Sequence, residues 1–424
     1  MTTAPHPFRI ANFRAYWVSR LASTLATGAM ALIVGWQVYT IARTTMDVRD
    51  SAFLLGMIGL AQFVPLFLLT PVVGLVADSV DRRRIVRATT TLLVLVAGGL
   101  GILTWTGALG LPALFGAAVL IGVARAFSGP AYSALAPNLV PREVLPTAIA
   151  VGSIAWQVGS IAGPGVGGLL LDVSPVAAYV AAALMFAVAL GGVFLIGPVP
   201  QPPAQKDHRP LARIVEGFGY VRRNRLVLAT ITLDLFAVLL AGATALLPVF
   251  ARDVLHVGEA ELGLLAASAG VGAASMAIWF SVRPMKHDVG RKMLLAVIVF
   301  GAATIVFGVS RQLWLSIGAL VVAGAADMVS VYIRSSLIQL HTPDAMRGRV
   351  SAVSQLTISA SNELGEAESG LLAALIGPVG AVVFGGVGAI AVTLLWARLY
   401  PELKLAKSFD PPEVSPQPHG VAQT

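Results

Sequence analysis

Apolar runs of twenty or more residues recur along the whole chain, separated only by short polar stretches, and that recurrence excludes most folds. In lipid a backbone must bond its own polar groups, so a run of this length reads as a membrane-crossing helix. Of the 424 residues 57% are hydrophobic and only 12% charged, too few charges to cover a soluble protein of this size. At about 20 residues per crossing there is room for roughly a dozen helices and for no large soluble catalytic domain.

Twelve helices are expected, giving an all-α membrane protein. The first six run from Ala15 to Ile41, Phe53 to Val76, Ile85 to Thr106, Pro112 to Ala134, Pro146 to Leu171 and Pro175 to Leu195. The second six run from Leu226 to Phe250, Gly263 to Val282, Met293 to Val309, Trp314 to Leu337, Val350 to Ile376 and Ala381 to Tyr400. Residues 1–196 and 226–402 thus form two six-helix halves. Between them, 197–225 opens with the Pro-rich PVPQPPAQKDHRP and continues with LARIVEGFGYVRRNR, a pattern for a basic interfacial helix. Residues 403–424 read as a disordered tail.

The net charge of +8 suggests nucleic acid in a soluble chain, but in a membrane protein it records topology. With the linker in the cytoplasm, the outer loops hold only Arg43, Arg49, Arg252 and Arg311, which places both termini inside. The absence of cysteine excludes disulfides and thiol chemistry, and no apolar leader marks a cleaved signal. H-E-x-x-H, G-x-S-x-G and Walker patterns are absent, so an enzyme is not expected. An offset of roughly 202 positions pairs Gly122 with Gly324, Ala124 with Ala326, Ser128 with Ser330, Ser133 with Ser335 and Pro141 with Pro343, which points to duplicated halves.

Three motifs carry a resemblance. Gly74-Leu-Val-Ala-Asp78-Ser-Val-Asp81-Arg82-Arg83-Arg84 resembles the signature loop of the major facilitator superfamily, with Asp81 where the family usually has glycine. Asp288, Gly290, Arg291 and Lys292 form a degraded second copy. Arg125-Ala-Phe-Ser-Gly129 resembles the R-x-x-x-G element of proton-coupled antiporters. Gly159, Gly163, Pro164, Gly167 and Gly168 resemble the exporter branches' glycine-proline motif, although Ala150 stands where its first glycine belongs. GWQVYT, ARAFSGPAYSALAPNLVP and TPDAMRGRVSAV look most like the bacterial enterobactin-exporter and efflux-permease branch.

The resemblance implies two pseudo-symmetric halves, a cavity lined by the first, fourth, seventh and tenth helices, and a proton-coupled exporter working by alternating access in the bacterial inner membrane. A proton symporter or importer, or a nontransporting sensor, stands as the alternative. The expected partners are a small organic substrate (drug, siderophore or metabolite) and the lipid bilayer, without nucleic acid; the expected unit is a monomer. The proton gradient is the only cofactor expected, and no metal.

Charges inside the apolar runs are costly and need a partner or a task. Arg20 and Arg125 lie in the first half, Asp234 and Asp327 in the second, so opposite charges would favour closure of the halves. Asp327 is the first candidate for the coupling proton, with Arg125 as its candidate partner. Glu363 is the second, and Glu366 shares its helical face. Trp36, Gln37, Tyr39, Trp156, Gln157 and Tyr332 are candidate substrate contacts, with interfacial anchoring or packing as the other reading for the aromatics. Gly74, Asp78, Arg82 and Arg83 are expected to govern conformation.

Overall fold

The computed structural model describes residues 6–198 and 210–409; the Pro-rich run after Val199, most of the expected tail, and the side chains of Gly74 and Asp78 lie outside that description. The first half comprises α1 (Ala11–Ala42), α2 (Val48–Ser79), α3 (Arg82–Trp105), α4 (Leu111–Leu135), α5 (Leu145–Val173) and α6 (Pro175–Leu195). The linker helix α7 (Pro210–Arg223) leads into α8 (Arg225–Leu240) and the short α9 (Leu247–Val249). Next come α10 (Glu259–Val282), α11 (Val289–Val309), α12 (Leu313–Leu340), α13 (Asp344–Ile376), α14 (Pro378–Leu399) and a final turn, α15 (Pro401–Leu405).

Among the described residues, 11 helical spans are long and apolar enough to cross a membrane. The remaining crossing is α13, 33 residues long. At 1.5 Å per residue it has ample reach, but Glu363, Glu366 and Glu368 make it the most polar of the set. Local chemistry sets the starts. Asp47 caps α2 through the Asp50 amide at 2.8 Å, Ser174 caps α6 through Ala177 at 3.0 Å, and Asn224 caps α8 through Val227 at 3.2 Å. Pro112, Pro146, Pro175 and Pro378 occupy first turns, where a missing amide costs nothing.

The seventh crossing departs from the continuous helix expected between Leu226 and Phe250. It breaks after Leu240, passes through a 3-10 turn at Ala243–Leu246, and ends in a π-helical turn at Phe250–Val254. At the break Gly242 lies against the backbone carbonyl of Gly365 in α13, an approach that no side chain would permit.

The duplication is visible in packing. Gly122 of α4 presses on the carbonyl oxygen of Gln62 in α2, and Gly324 of α12 presses on that of Ala269 in α10. In lipid, where apolar burial does not drive helices together, such backbone proximity is what binds them. Within the first half, Gly159 meets Thr24, Gly163 meets Leu25 and Gly167 meets Ala29, which docks α5 along α1.

Asp81, the departure from the motif's usual glycine, caps α3. Its carboxylate accepts the Arg83 amide at 2.9 Å and pairs with the Arg83 guanidinium at 2.6 Å. The Arg83 bond holds the Asp81 carboxyl below the usual carboxylate range. A depressed pKa means that the stabilisation is present above the unfolded value, near 4, and is lost as pH falls through the folded one. Arg82 opens the same helix, with Nε buried and unbonded among the described residues.

Two substitutions separate close packing from propensity. Gly122→Ala should lower thermal stability by about 1–3 kcal/mol, because a methyl meets the Gln62 carbonyl. Gly99→Ala, where nothing lies within 4 Å, should be neutral or stabilising by up to ~1 kcal/mol. Melting of the detergent-purified variants checks both.

Candidate functional site

The α7 linker helix and the starts of α8 and α13 mark one face of the bundle, here the linker face; the loop after α1 and the π-helical turn mark the far face. The two halves are sealed toward the far face. Gly56 of α2 lies on Gly370 of α13, and Gly168 of α5 lies on Gly263 of α10, where an added methyl would stand 2.8 Å and 2.5 Å from the opposing Cα. Arg43 and Asp253 pair across the seam at 3.2 Å, and the Tyr39 hydroxyl donates to Asp253 at 2.5 Å.

One stripe of α5 shows where the seal ends. Ala150, Ile154, Gln157, Ile161 and Gly168 recur at helical spacing on one face. Gly168 and Ile161 are packed on α10, the latter against Gly270, whereas Ile154 is 55% exposed. The halves therefore part toward the linker face.

At the inner limit of the seal is a cluster of charge. Arg125 of α4 donates to the Gln62 side chain at 3.1 Å and pairs with Glu363 of α13 at 2.8 Å. Glu363 keeps 8% of its side chain exposed and Arg125 41%. The carboxylate is thus held inside protein while the guanidinium borders the space between the halves. Fourteen positions into α2 and α4, about 20 Å along each helix, this is near mid-membrane. Glu366, one turn on from Glu363, lies against Gly59 of α2, so a second carboxylate adjoins the first inside the seam.

The expected pairing of Arg125 with Asp327 is not formed, since Arg125 reaches α13 instead. Asp234, expected to face the cations of the first half, pairs within its own half with Arg334 of α12. Both members are nearly inaccessible, with side chains 7% and 5% exposed. Asp327 lies beside that pair, where it lines a small cavity with Asp234, Phe300 and Ser330. Arg20 also stays in its own half, with its guanidinium 5.1 Å from the Tyr132 ring.

Of the candidate substrate contacts, Trp36, Gln37 and Tyr39 are buried in the sealed region. Trp156 is 49% exposed on α5, Gln157 is partly buried on the seam stripe, and Tyr332 stacks on Phe280 at 4.6 Å. The sequence reading missed Gln62 and Asp253. An amide inside the second apolar run at the depth of Arg125 was a usable signal for Gln62; nothing local marked Asp253.

A bundle of apolar helices in two repeated halves, with charges paired at mid-depth across the seam, defines a multi-pass membrane transporter. The chain matches the family model of transmembrane secretion effectors over residues 2–418 and belongs to that family of the major facilitator superfamily, whose members are transporters and not enzymes. It is 29% identical over 401 residues to the enterobactin exporter EntS of Citrobacter koseri, covering 92% of each chain, and 29% identical over 412 residues to that of Escherichia coli O1:K1, covering 95% of each. It superposes on a bacterial homologue of the human lysosomal transporter Spinster with TM-score 0.72 at 14% identity, covering 94% of this chain and 99% of that one. With a D-xylose–proton symporter the TM-score is 0.70 at 14% identity, over 92% and 98% of the two chains. These last likenesses establish the shared fold.

The ion pair yields a direct prediction. Arg125→Gln should destabilise the protein, because Glu363 is left in the seam without a counter-charge. Glu363→Gln added to it should recover part of that loss, with a coupling energy of about 1–3 kcal/mol in a double-mutant cycle of unfolding.

Proposed function

We propose that this transporter exports a small organic molecule across the bacterial inner membrane, coupled to protons entering in the opposite sense. The observation that carries the reading is the Arg125–Glu363 pair, which joins the two halves at mid-depth where the far-face seal ends. Export is favoured by the enterobactin exporters among the relatives and by the glycine-proline motif on α5. On this reading the linker face is cytoplasmic, with both termini inside, as the distribution of arginine favours.

The coupling follows from the electrostatics of the pair. While Glu363 is ionised, attraction to Arg125 in a low-dielectric seam holds the far side shut. Cargo entering from the linker face competes for Arg125 and removes that attraction. The seal then rests on the Arg43–Asp253 pair and on backbone contacts at Gly56 and Gly168, and the halves rock open outward. There a proton from outside takes the place of the cargo at Glu363 or the adjacent Glu366, the protonated carrier turns inward, and loss of that proton to the cytoplasm restores the pair. Asp327 takes second place as the coupling group, since its neighbours are the Asp234–Arg334 pair of its own half and, among the described residues, it pairs with nothing across the seam.

Proteoliposomes loaded with a candidate cargo test this reading. Glu363→Gln should abolish substrate-induced proton movement while downhill exchange continues, and Asp327→Asn should retain coupling; the reverse pattern would transfer the role to Asp327.

The absence of cysteine makes labelling a clean second measure. Ala52, fully buried at the far-face seam, should react slowly with an impermeant maleimide as Ala52→Cys. Adding Glu363→Gln should accelerate that reaction severalfold. An unchanged rate would separate the ion pair from closure.

A further inference from the structure

The degraded second copy of the signature motif has no part in the seam. Asp288 sits in the left-handed region at φ 54°, and its amide donates to the carbonyl of Lys407 at 2.7 Å. The Gly290 amide donates to the Ala406 carbonyl at 3.0 Å, while Leu403 lies so close to Gly290 that any side chain there would collide with its carbonyl. The α10–α11 loop thus clamps the chain after α14 in place. From the clamped turn, Glu402 reaches Arg225 at the start of α8 at 2.7 Å.

This clamp forms one wall of a cleft of about 1020 Å³ on the linker face. The other wall is the end of α7, fixed where the Tyr220 hydroxyl donates to the His341 carbonyl at 2.6 Å. The charges lining the cleft are not balanced. Arg225 is satisfied by Glu402 and by the Leu399 carbonyl at 3.2 Å. Arg223 and Lys407 line the same cleft, are exposed, and have no acidic partner among the described residues. Two uncompensated cations thus face one space from opposite walls.

Besides the polar Asn224, His341 and Ser408, the lining has an apolar part. Leu226 and Leu405 border the cleft, and Leu405 is 66% exposed. Beyond it, Leu399 and Leu395 of α14 are 52% and 49% exposed, and Trp396 packs with Tyr400 at 5.8 Å. A tryptophan–tyrosine pair next to exposed leucines is the chemistry of a helix at the level of lipid headgroups. On α7, Val215 and Phe218 are 68% and 51% exposed, apolar residues that suit the same depth. A soluble anion would use the cations and leave the leucines wet; an amphiphilic anion uses both.

We propose that this cleft is a binding site for an anionic phospholipid, its headgroup phosphate held between Arg223 and Lys407 and its chains running along Leu405 and Leu399 of α14. The site lies in the second half and its linker, away from the Arg125–Glu363 pair, and does not depend on the direction of transport.

Native mass spectrometry of the purified full chain, offered equal amounts of phosphatidylglycerol and phosphatidylcholine, tests the site. Phosphatidylglycerol should be retained in preference, and Arg223→Gln with Lys407→Gln should reduce its retention by roughly tenfold at low ionic strength. Arg142→Gln with Arg9→Gln, which removes two exposed charges of the first half, should leave retention at the wild-type level. Equal retention of the two lipids, or a double variant that binds phosphatidylglycerol as well as the wild type, would overturn the proposal. So would full displacement of the lipid by millimolar inorganic phosphate, which would mark a site for the free anion.

Discussion

A charge at the middle of a bilayer needs an opposite charge, and where that partner lies decides what the charge can do. Asp234 finds Arg334 within its own half, so the pair braces one helical unit and carries no information across the molecule. Arg125 finds Glu363 in the other half, and the same physics becomes a tie between bodies. The close helix contacts of the far face are arranged around that tie. Gly59 makes room for Glu366 just beside it, and Gly56 and Gly370 continue the contact outward.

Close packing without side chains is the second organising theme. The α5 glycines divide their work: Gly159, Gly163 and Gly167 fix α5 to α1 inside a half, while Gly168 touches Gly263 across the seam. Pro164 joins the first group, since a methyl at Gly28 would stand 2.9 Å from its ring. One motif therefore holds a half together with four residues and closes the molecule with a fifth.

The helices were legible in the sequence because twenty-residue apolar runs and first-turn prolines are local signals; Pro112, Pro146 and Pro175 each sit where a helix begins. The break in the seventh crossing was not, because it arises from Gly242 meeting Gly365 more than a hundred residues away. Charge depth was legible too, and it brought Arg125, Asp234, Asp327 and Glu363 forward together. Partnership was hidden. It depends on how α4, α8, α12 and α13 rotate against one another, and depth alone ranked Asp327 above Glu363. Asp81 shows the converse, since a departure from a motif that suggested an altered turn is in the structure a helix cap.

The contact between Gly168 and Gly263 is made by backbone alone, and that separates two properties that usually change together. On the proposed reading a cargo meets side chains such as Ile154 and Gln157, whereas the closure about three to four turns farther along the same helix asks only that side chains be missing. Replacing the first group alters what is carried without touching the geometry of closing. A lineage of such proteins is therefore free to exchange one cargo for another by ordinary point substitution, provided that a few positions stay bare.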